Sequence, residues 1–285
     1  MATESPKLSS LKYLVTSILG TGKNATVMLI TDKQPGGGRY ALKVVKREGP
    51  EDDLAVERLR AECEASAKLN FPSILKAHDF RAKRSWTFQV TRGELLTEYV
   101  DGKPLHELDE QLAVGPGVLI FHKAACALAH MHRRGVYHGD LRPSKILLAR
   151  NGSVKVRGYG LSQVNAKLLD AFKPSANYAA PEQLKGKTLD EKTDIYSLGA
   201  TMYHVLTGLA PGGVLGRTEG RKLTNPTAVN PRIPAALNNL LVTCLQSNPD
   251  KRPDDLDVVK TQLEALAKSL ALDTNSLAGL AVGEE

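Results

Sequence analysis

The chain has 285 residues, of which 42% are hydrophobic and 24% charged, a balance typical of a soluble globular protein with one large domain or two modest lobes. Its 38 Lys and Arg against 31 Asp and Glu give a net charge of +7. The basic residues are spread along the chain and only 5% of residues are aromatic, so no nucleic-acid partner is predicted. The three cysteines, Cys63, Cys126 and Cys244, are odd in number and far apart, which argues against a disulfide framework or a metal-binding cluster.

Targeting and membrane signals are not evident in the sequence. No apolar run is long enough to predict a membrane segment. The first ten residues, MATESPKLSS, lack the apolar core of a signal peptide. The cytoplasm is therefore the expected location.

The front of the chain is predicted to be rich in β-structure. After a disordered leader at residues 1–10, apolar runs within residues 11–47 flank a Gly-containing turn and the PGGG turn, which predicts three strands. Residues 53–69, DLAVERLRAECEASAKL, have the spacing of an amphipathic helix that NFPS terminates. Residues 74–100 return to a β pattern, but the pattern does not locate the strand ends within RAKRSWTFQVTRG.

The back of the chain is predicted to be mainly helical. Helices are expected at residues 117–134, 193–207, 234–246 and 254–270, with two short hairpin strands around RNGS. The class is therefore α+β. A β-rich unit spans residues 11–100, a helical unit spans residues 101–270, and a flexible tail spans residues 271–285.

Seven ordered motifs resemble those of the eukaryotic-type Ser/Thr protein kinases. In chain order they are LGTGKNATVML, YALKVV, RAECEASAKL, YHGDLRPSKILL, AAPEQL, DIYSLG and NPDKRP. The resemblance covers residues 11–270. It implies the bilobal protein-kinase fold, with its joint near residues 98–104.

The resemblance implies a phosphate-binding loop and a lysine held by a glutamate. Gly20 and Gly22 would let backbone N–H groups approach phosphates, and Ala25 stands where the family has a third glycine. Lys43 would reach the α- and β-phosphates, and Glu62 would hold it by an ion pair. The alternative for Lys43 is an ordinary surface lysine on an edge strand.

The resemblance also implies a purine-binding site. Three apolar positions would enclose the adenine ring: Val27, Ala41 and Leu147. The segment TEYV would be the hinge, with Thr97 as the gatekeeper and the backbone of Glu98 and Val100 pairing with the adenine edge. These residues suit an ordinary core strand equally well.

Three further residues match positions that maintain the fold in this family. Glu182 of AAPEQL and Arg252 of NPDKRP match a buried ion pair. Asp194 of DIYSLG matches the residue that braces the catalytic loop. A chain that had lost the fold would not need them.

The positions that carry the chemistry depart from the family pattern. The loop H-R-D-L-K-P-x-N reads HGDLRPSK here, which keeps Asp140 as a remnant base but places Arg142 at the lysine position and Lys145 at the asparagine position. The motif D-F-G reads G-Y-G at residues 158–160. Both metal-binding side chains of the family are therefore replaced, and Mg²⁺ requires hard oxygen ligands.

These departures predict a pseudokinase with no metal site. It would bind ATP or ADP without Mg²⁺ and act as a regulatory or scaffolding module for a protein partner, such as an active kinase or a signalling protein. One alternative is a weak or unorthodox Ser/Thr kinase that uses Asp140, with Lys145 in place of a cation. Another is an interaction module that binds no nucleotide.

Overall fold

A computed structural model describes residues 6–22, 24–108, 112–186, 189–211, 223–273 and 277–278. The chain divides into two compact units. The first comprises Met1–Asn70, Leu75–Val100 and Gln163–Phe172, and the second comprises Phe71–Ile74, Asp101–Ser162 and Lys173–Glu285. One boundary between the two units falls between Val100 and Asp101.

The first unit is built on a five-stranded antiparallel sheet. Its strands are β1 (Tyr13–Thr21), β2 (Ala25–Asp32), β3 (Arg39–Lys46), β4 (Ala77–Arg84) and β5 (Val90–Glu98). They lie in the order β1-β2-β3-β5-β4. The helix α1 (Asp53–Ala67) packs against β4 and β5, and the short α3 (Ala166–Leu169) also belongs to this unit. Successive side chains of a strand point to opposite faces of the sheet, and apolar residues on both faces are covered by other parts of the unit.

One face of this sheet packs against α1 and the other is covered by the residues that precede β1. Val45 and Leu95 pack with Val56 and Leu59 of α1. The opposite core cluster contains Leu8, Ile30, Leu42 and Leu96.

Residues 6–10 differ from the predicted disordered leader. Leu8 is only 2% exposed, packs against Ile30 and Leu42, and its backbone N–H donates to Oδ2 of Asp79 at 2.7 Å. A single apolar side chain in a polar stretch is ordered here because it covers an otherwise open sheet face. Residues 1–5 lie outside the described residues.

The second unit combines a small sheet with helices. The sheet contains β6 (Gly102–Pro104), β7 (Ile146–Ala149) and β8 (Val154–Val156), in that order. The helices described are α2 (Val114–His132), α4 (Pro181–Leu184), α5 (Glu191–Thr207), α6 (Pro226–Val229), α7 (Ala235–Cys244) and α8 (Leu256–Ser269). The helix α2 packs against α5 and α8, and α7 packs against α5 and α8. The four helices predicted here therefore form, with ends shifted by a few residues.

The helix α2 differs from the expectation that no apolar segment is long enough to span a membrane. In the described part of the chain it is the one helix whose length, 19 residues, and composition would allow it to cross a bilayer. Most of its apolar side chains are buried within the second unit, as in the core helix of a folded domain.

The C-terminal segment also differs from the predicted flexible tail where it is described. Leu277 is fully buried, and a β-carbon at Gly152 would lie 3.1 Å from the Leu277 Cβ. The rest of residues 274–285, apart from Ala278, lies outside the described residues.

Candidate nucleotide and catalytic site

Four of the predicted nucleotide-binding residues lie on one face of the five-stranded sheet. Residues paired across antiparallel strands point to the same face. Val27 pairs with Lys43, which pairs in turn with Leu95 of β5. Ala41 pairs with Thr97, two residues along the same strands. The strand register thus places Val27, Ala41, Lys43 and Thr97 together, although these residues are far apart in sequence.

Lys43 and Glu62 lie on facing surfaces of the first unit. Lys43 is two residues from Val45, so both share the face of β3 that packs against α1. Glu62 is three residues after Leu59, which is on the buried side of α1, and it is itself buried. This is the relation the predicted ion pair requires. It makes an ordinary surface position for Lys43 the poorer interpretation.

The predicted hinge continues directly from β5. The Thr97 hydroxyl is buried and donates to the carbonyl oxygen of Glu98 at 3.1 Å. The Glu98 side chain accepts from the backbone N–H of Lys76 at 2.7 Å, and the Glu98 N–H donates to the Lys76 carbonyl at 2.9 Å. These bonds fasten Glu98 to the segment before β4, and the strand ends two residues before Val100.

The predicted phosphate loop is the β1–β2 hairpin. Gly22 N–H donates to the Ala25 carbonyl at 2.7 Å, which closes the turn. A β-carbon at Gly20 would meet nothing within 4 Å, and one at Gly22 would come no closer than 3.8 Å to another atom. The space beside both glycines is therefore open to a ligand on the first unit.

The catalytic-loop residues belong to the second unit, where Asp194 of α5 braces them as predicted. Its carboxylate accepts from the backbone N–H of His138 at 2.7 Å and from that of Gly139 at 2.8 Å. It also lies 2.8 Å from Nε2 of His132. Burial works to raise the pKa of Asp194, but its hydrogen bonds and the nearby histidines outweigh burial and lower it. The brace is thus a buried anion.

His138 holds the next part of the loop. Its ring Nδ1 lies 3.2 Å from the Asp140 N–H, and its Nε2 lies 3.1 Å from the Arg157 carbonyl. This geometry suits the neutral tautomer that carries the proton on Nε2. Burial lowers the pKa of His138, and the charge of Lys145 adds to the lowering. The ring therefore acts as a neutral support for the backbone of Asp140.

Lys145 ends the loop that carries Asp140, and its side chain faces the loop that carries Gly158. Its Nζ lies 4.0 Å from Oδ2 of Asp140. A β-carbon built on Gly158 would lie 2.7 Å from the same Nζ. The Arg157 guanidinium fixes the loop because its Nε and one terminal nitrogen donate to the Ser144 carbonyl at 3.1 and 3.0 Å.

The other predicted residues of this unit lie nearby. Nε of Arg142 is 3.9 Å from Oδ1 of Asp140, so two basic side chains approach that carboxylate. Leu147 is buried on β7, where it pairs with Pro104 and Lys155. Among the described residues, no group of three or more His, Cys, Asp or Glu side chains is placed to hold a metal ion.

The predicted ion pair between Glu182 and Arg252 is confirmed. The two terminal nitrogens of Arg252 donate to the two carboxylate oxygens of Glu182 at 2.6 and 2.8 Å, and both side chains are buried. Arg252 also donates to the Lys192 and Gln246 carbonyls and stacks over Tyr196. The pair thus joins α4 to α5 and to the loop before α8.

Sequence reasoning missed His132, the last residue of α2. Its Nε2 contacts Asp194, and its Nδ1 lies 3.1 Å from Glu191. Burial alone would lower the pKa of His132, but the two carboxylates outweigh burial and raise it. Nothing in the motif pattern marks this residue. The histidine-rich sequence HMHRR in the last turn of α2 was the available signal.

Comparison with known proteins agrees with this geometry. Residues 13–263 match the family model of the protein kinase domain. A probable serine/threonine-protein kinase of Streptomyces coelicolor is 28% identical over 92% of the chain and 41% of its own length. The serine/threonine-protein kinases PknB of Mycolicibacterium smegmatis and PknA of Mycobacterium tuberculosis are 28% and 29% identical, over 87% and 85% of the chain.

The chain spans 41% of that PknB and 58% of that PknA, so the similarity concerns one part of these relatives. The matched residues include both units and every motif quoted above. The five-stranded sheet with its helix, the mainly helical second unit and the braced loop at Asp140 are the parts of a protein kinase domain. The chain belongs to the protein kinase domain family.

Proposed function

We propose that this protein is a pseudokinase that binds ATP or ADP without Mg²⁺ and regulates or scaffolds a protein partner, such as an active kinase or another signalling protein. One observation carries the proposal. The ammonium of Lys145, at one of the family's two metal-binding positions, lies 4.0 Å from the remnant base Asp140 and against Gly158, the other metal-binding position. The ammonium of Lys145 would thus take the place of a bound Mg²⁺ ion.

The residues at this position do not fit Mg²⁺. The ion needs several oxygen ligands near 2.0–2.1 Å in octahedral geometry. Gly158 supplies no side-chain oxygen, and Lys145 supplies a positive charge 4.0 Å from the one carboxylate, Asp140. Two like charges in a partly buried site repel each other strongly, because the effective dielectric constant there is low. Lys145 and Mg²⁺ are therefore alternatives at this place.

The residues of the first unit fit a nucleotide. The face that carries Val27, Ala41 and Thr97 offers apolar and small side chains to a flat ring, and Lys43 lies on the same face for phosphate oxygens. Open space beside Gly20 and Gly22 lets backbone N–H groups approach phosphates. Lys145 would neutralise the phosphate charge that a metal neutralises in active members of the family.

Calorimetric titration of the purified chain with ATP tests this proposal. One titration contains EDTA and the other contains excess Mg²⁺. We expect binding in EDTA, with an affinity that Mg²⁺ leaves unchanged or weakens. A tenfold or greater tightening by Mg²⁺, a change of about 1.4 kcal/mol, contradicts the proposal. Absence of binding in both titrations would favour an interaction module that takes no nucleotide.

The second candidate is a weak Ser/Thr kinase. Two observations favour it: Asp140 is held by the Asp194 and His138 network, and the curated relatives are named serine/threonine-protein kinases. Asp140 would accept the proton of a Ser or Thr hydroxyl, and Lys145 would stabilise charge on the transferred group. Transfer of labelled phosphate to a protein substrate by the wild type, but not by Asp140→Asn, would support this candidate over the first.

A further inference from the structure

The tip of the β4–β5 hairpin exposes two aromatic side chains. Trp86 is 91% exposed and Phe88 is 79% exposed. Trp86 is the single tryptophan of the chain. Scattered exposed apolar residues are ordinary, but two large aromatic side chains two residues apart on a projecting turn form a defined apolar tip. We call Trp86 and Phe88 the aromatic tip.

The backbone of this turn is strained at Phe88. Ser85 N–H donates to the Gln89 carbonyl at 2.8 Å, and Phe88 N–H donates to the Ser85 carbonyl at 3.0 Å. Phe88 has a φ of 61°, the left-handed position at which such a hairpin favours glycine or asparagine. A bulky side chain is unfavourable at this position and gains nothing here from burial. Strained backbone conformations cluster at functional sites, so Phe88 motivates a search for a function of this turn.

Basic side chains lie on the two strands next to the aromatic tip. Arg84 is exposed, and one of its terminal nitrogens donates to the Phe88 carbonyl at 2.9 Å. Lys83 and Arg92 pair across the two strands, and both lie close to the buried Glu94. Residues 81–94 contain four Arg and Lys against one Glu, so the net charge of the hairpin is +3. The partner of this surface should therefore be anionic and should accept apolar rings.

We propose that the aromatic tip, together with Lys83, Arg84 and Arg92, binds the surface of an anionic lipid bilayer. Aromatic rings are favoured at the interface between headgroups and acyl chains, and nearby Lys and Arg side chains are attracted to anionic headgroups. Both rings are largely exposed on a turn, so they are accessible for insertion into a bilayer surface. Single-stranded nucleic acid needs a groove that follows its backbone. The proposal concerns the first unit alone and does not depend on nucleotide binding.

The fluorescence of Trp86 reports directly on this contact, because no other tryptophan contributes. The full chain is titrated with vesicles of phosphatidylcholine and phosphatidylglycerol in equal parts, and with vesicles of phosphatidylcholine alone. We expect a blue shift and protection from iodide quenching with the anionic vesicles only. Both effects should weaken at high salt, where charges are screened.

Variants then locate the contact by co-sedimentation with the anionic vesicles. We expect Trp86→Ser to weaken binding about tenfold and Arg84→Gln about fivefold. Phe88→Gly should also weaken binding, yet melt at the same or a higher temperature because it relieves the left-handed strain. The matched control is Leu209→Ser, which removes a 50% exposed apolar side chain from the second unit and should leave vesicle binding unchanged.

Four outcomes would overturn the proposal or the location it assigns. The first is no change of Trp86 emission with anionic vesicles, and the second is equal binding to neutral vesicles. The third is tighter binding to a thymidine oligonucleotide than to anionic vesicles, which would assign the tip to nucleic acid. Loss of vesicle binding in Leu209→Ser to the same degree as in Trp86→Ser would also contradict the location.

Discussion

The ammonium of Lys145 lies 4.0 Å from Oδ2 of Asp140, and it would lie 2.7 Å from a side chain begun at Gly158. Asp140 and Lys145 lie in one loop before β7, and Gly158 follows β8, so the β7–β8 hairpin brings Gly158 beside the cation. The lysine side chain is 14% exposed, and its charge is therefore only partly screened by water. Much of the expected behaviour of the site follows from this one contact.

Removing the charge of Lys145 should separate phosphate binding from purine binding. We expect Lys145→Met to lower the affinity for ATP about tenfold and to leave that for adenosine unchanged, because a charge-assisted contact contributes about 1.5–3 kcal/mol. Calorimetry with both ligands in EDTA measures the difference. Lys268→Met serves as the control because Lys268 is 75% exposed on α8. An equal loss for adenosine would mean that Lys145 supports the fold instead of the phosphates.

Restoring the family residues should restore dependence on Mg²⁺. Gly158 has a φ of 72°, a left-handed conformation that Asp tolerates better than most residues. The atom that a new side chain would meet first is the flexible end of Lys145, so the double variant Gly158→Asp with Lys145→Asn should fold. We expect Mg²⁺ to tighten its binding of ATP at least tenfold.

The single variant Gly158→Asp provides the contrast for that experiment. Its new carboxylate should pair with Lys145, and Mg²⁺ should then have little effect on ATP binding. A strong Mg²⁺ effect in this single variant would show that Lys145 does not exclude the metal.

Large side chains introduced at the purine-binding positions of the five-stranded sheet should prevent nucleotide binding. We expect Val27→Trp or Ala41→Phe to abolish ATP and adenosine binding, because both positions share the face that carries Lys43 and Thr97. Thermal melting of the apo variants checks that the sheet survives. Undiminished binding by a folded variant would place the nucleotide elsewhere.

The pair of Glu182 and Arg252 should contribute strongly to stability. Arg252→Ala leaves the Glu182 carboxylate buried without its partner, so we expect the free energy of unfolding to fall by about 3–5 kcal/mol. Urea unfolding measures the change. Lys268→Ala is the control, since it breaks the exposed pair with Glu264 and should leave the free energy of unfolding nearly unchanged. Equal losses in the two variants would contradict the buried role.

His132 should make stability fall at alkaline pH. Burial lowers the pKa of His132 in the folded protein, but Asp194 and Glu191 outweigh burial, so the pKa is raised. A group with a raised folded pKa stabilises fully below its unfolded pKa, about 6.5, and this contribution is lost as pH rises through the folded value. We therefore expect the free energy of unfolding to decline from about pH 6.5 upward and the decline to be smaller in His132→Gln.

The other histidines do not obscure the effect of His132 when the wild type is compared with His132→Gln. Burial lowers the pKa of five of them: His78, His122, His130, His138 and His204. In the unfolded chain they titrate around pH 6.5, so they add a rise of stability with pH that fades above about pH 7.5 and is common to the wild type and His132→Gln. Urea unfolding at several pH values from 6 to 9 tests the prediction, and an equal slope in His132→Gln would refute it.

The local elements could be predicted from sequence because their signals are local. The periodicity of DLAVERLRAECEASA indicates α1, and alternation with Gly-rich turns indicates β1, β2 and β3. The ordered motifs also indicated the family, and with it the partners Glu182 and Arg252. The substitutions at Lys145 and Gly158 could likewise be read directly.

Only the tertiary structure decided the contacts between distant residues that no motif indicates. Packing at the sheet face ordered Leu8 in a stretch whose polar composition predicts disorder. The helix end and the start of α5 together placed His132 between two carboxylates, which no spacing rule could have specified. Sequence by itself therefore determined the elements, the family and the changed residues. Three-dimensional packing decided their electrostatic partners, because burial and charge interactions depend on distances between segments that are remote along the chain.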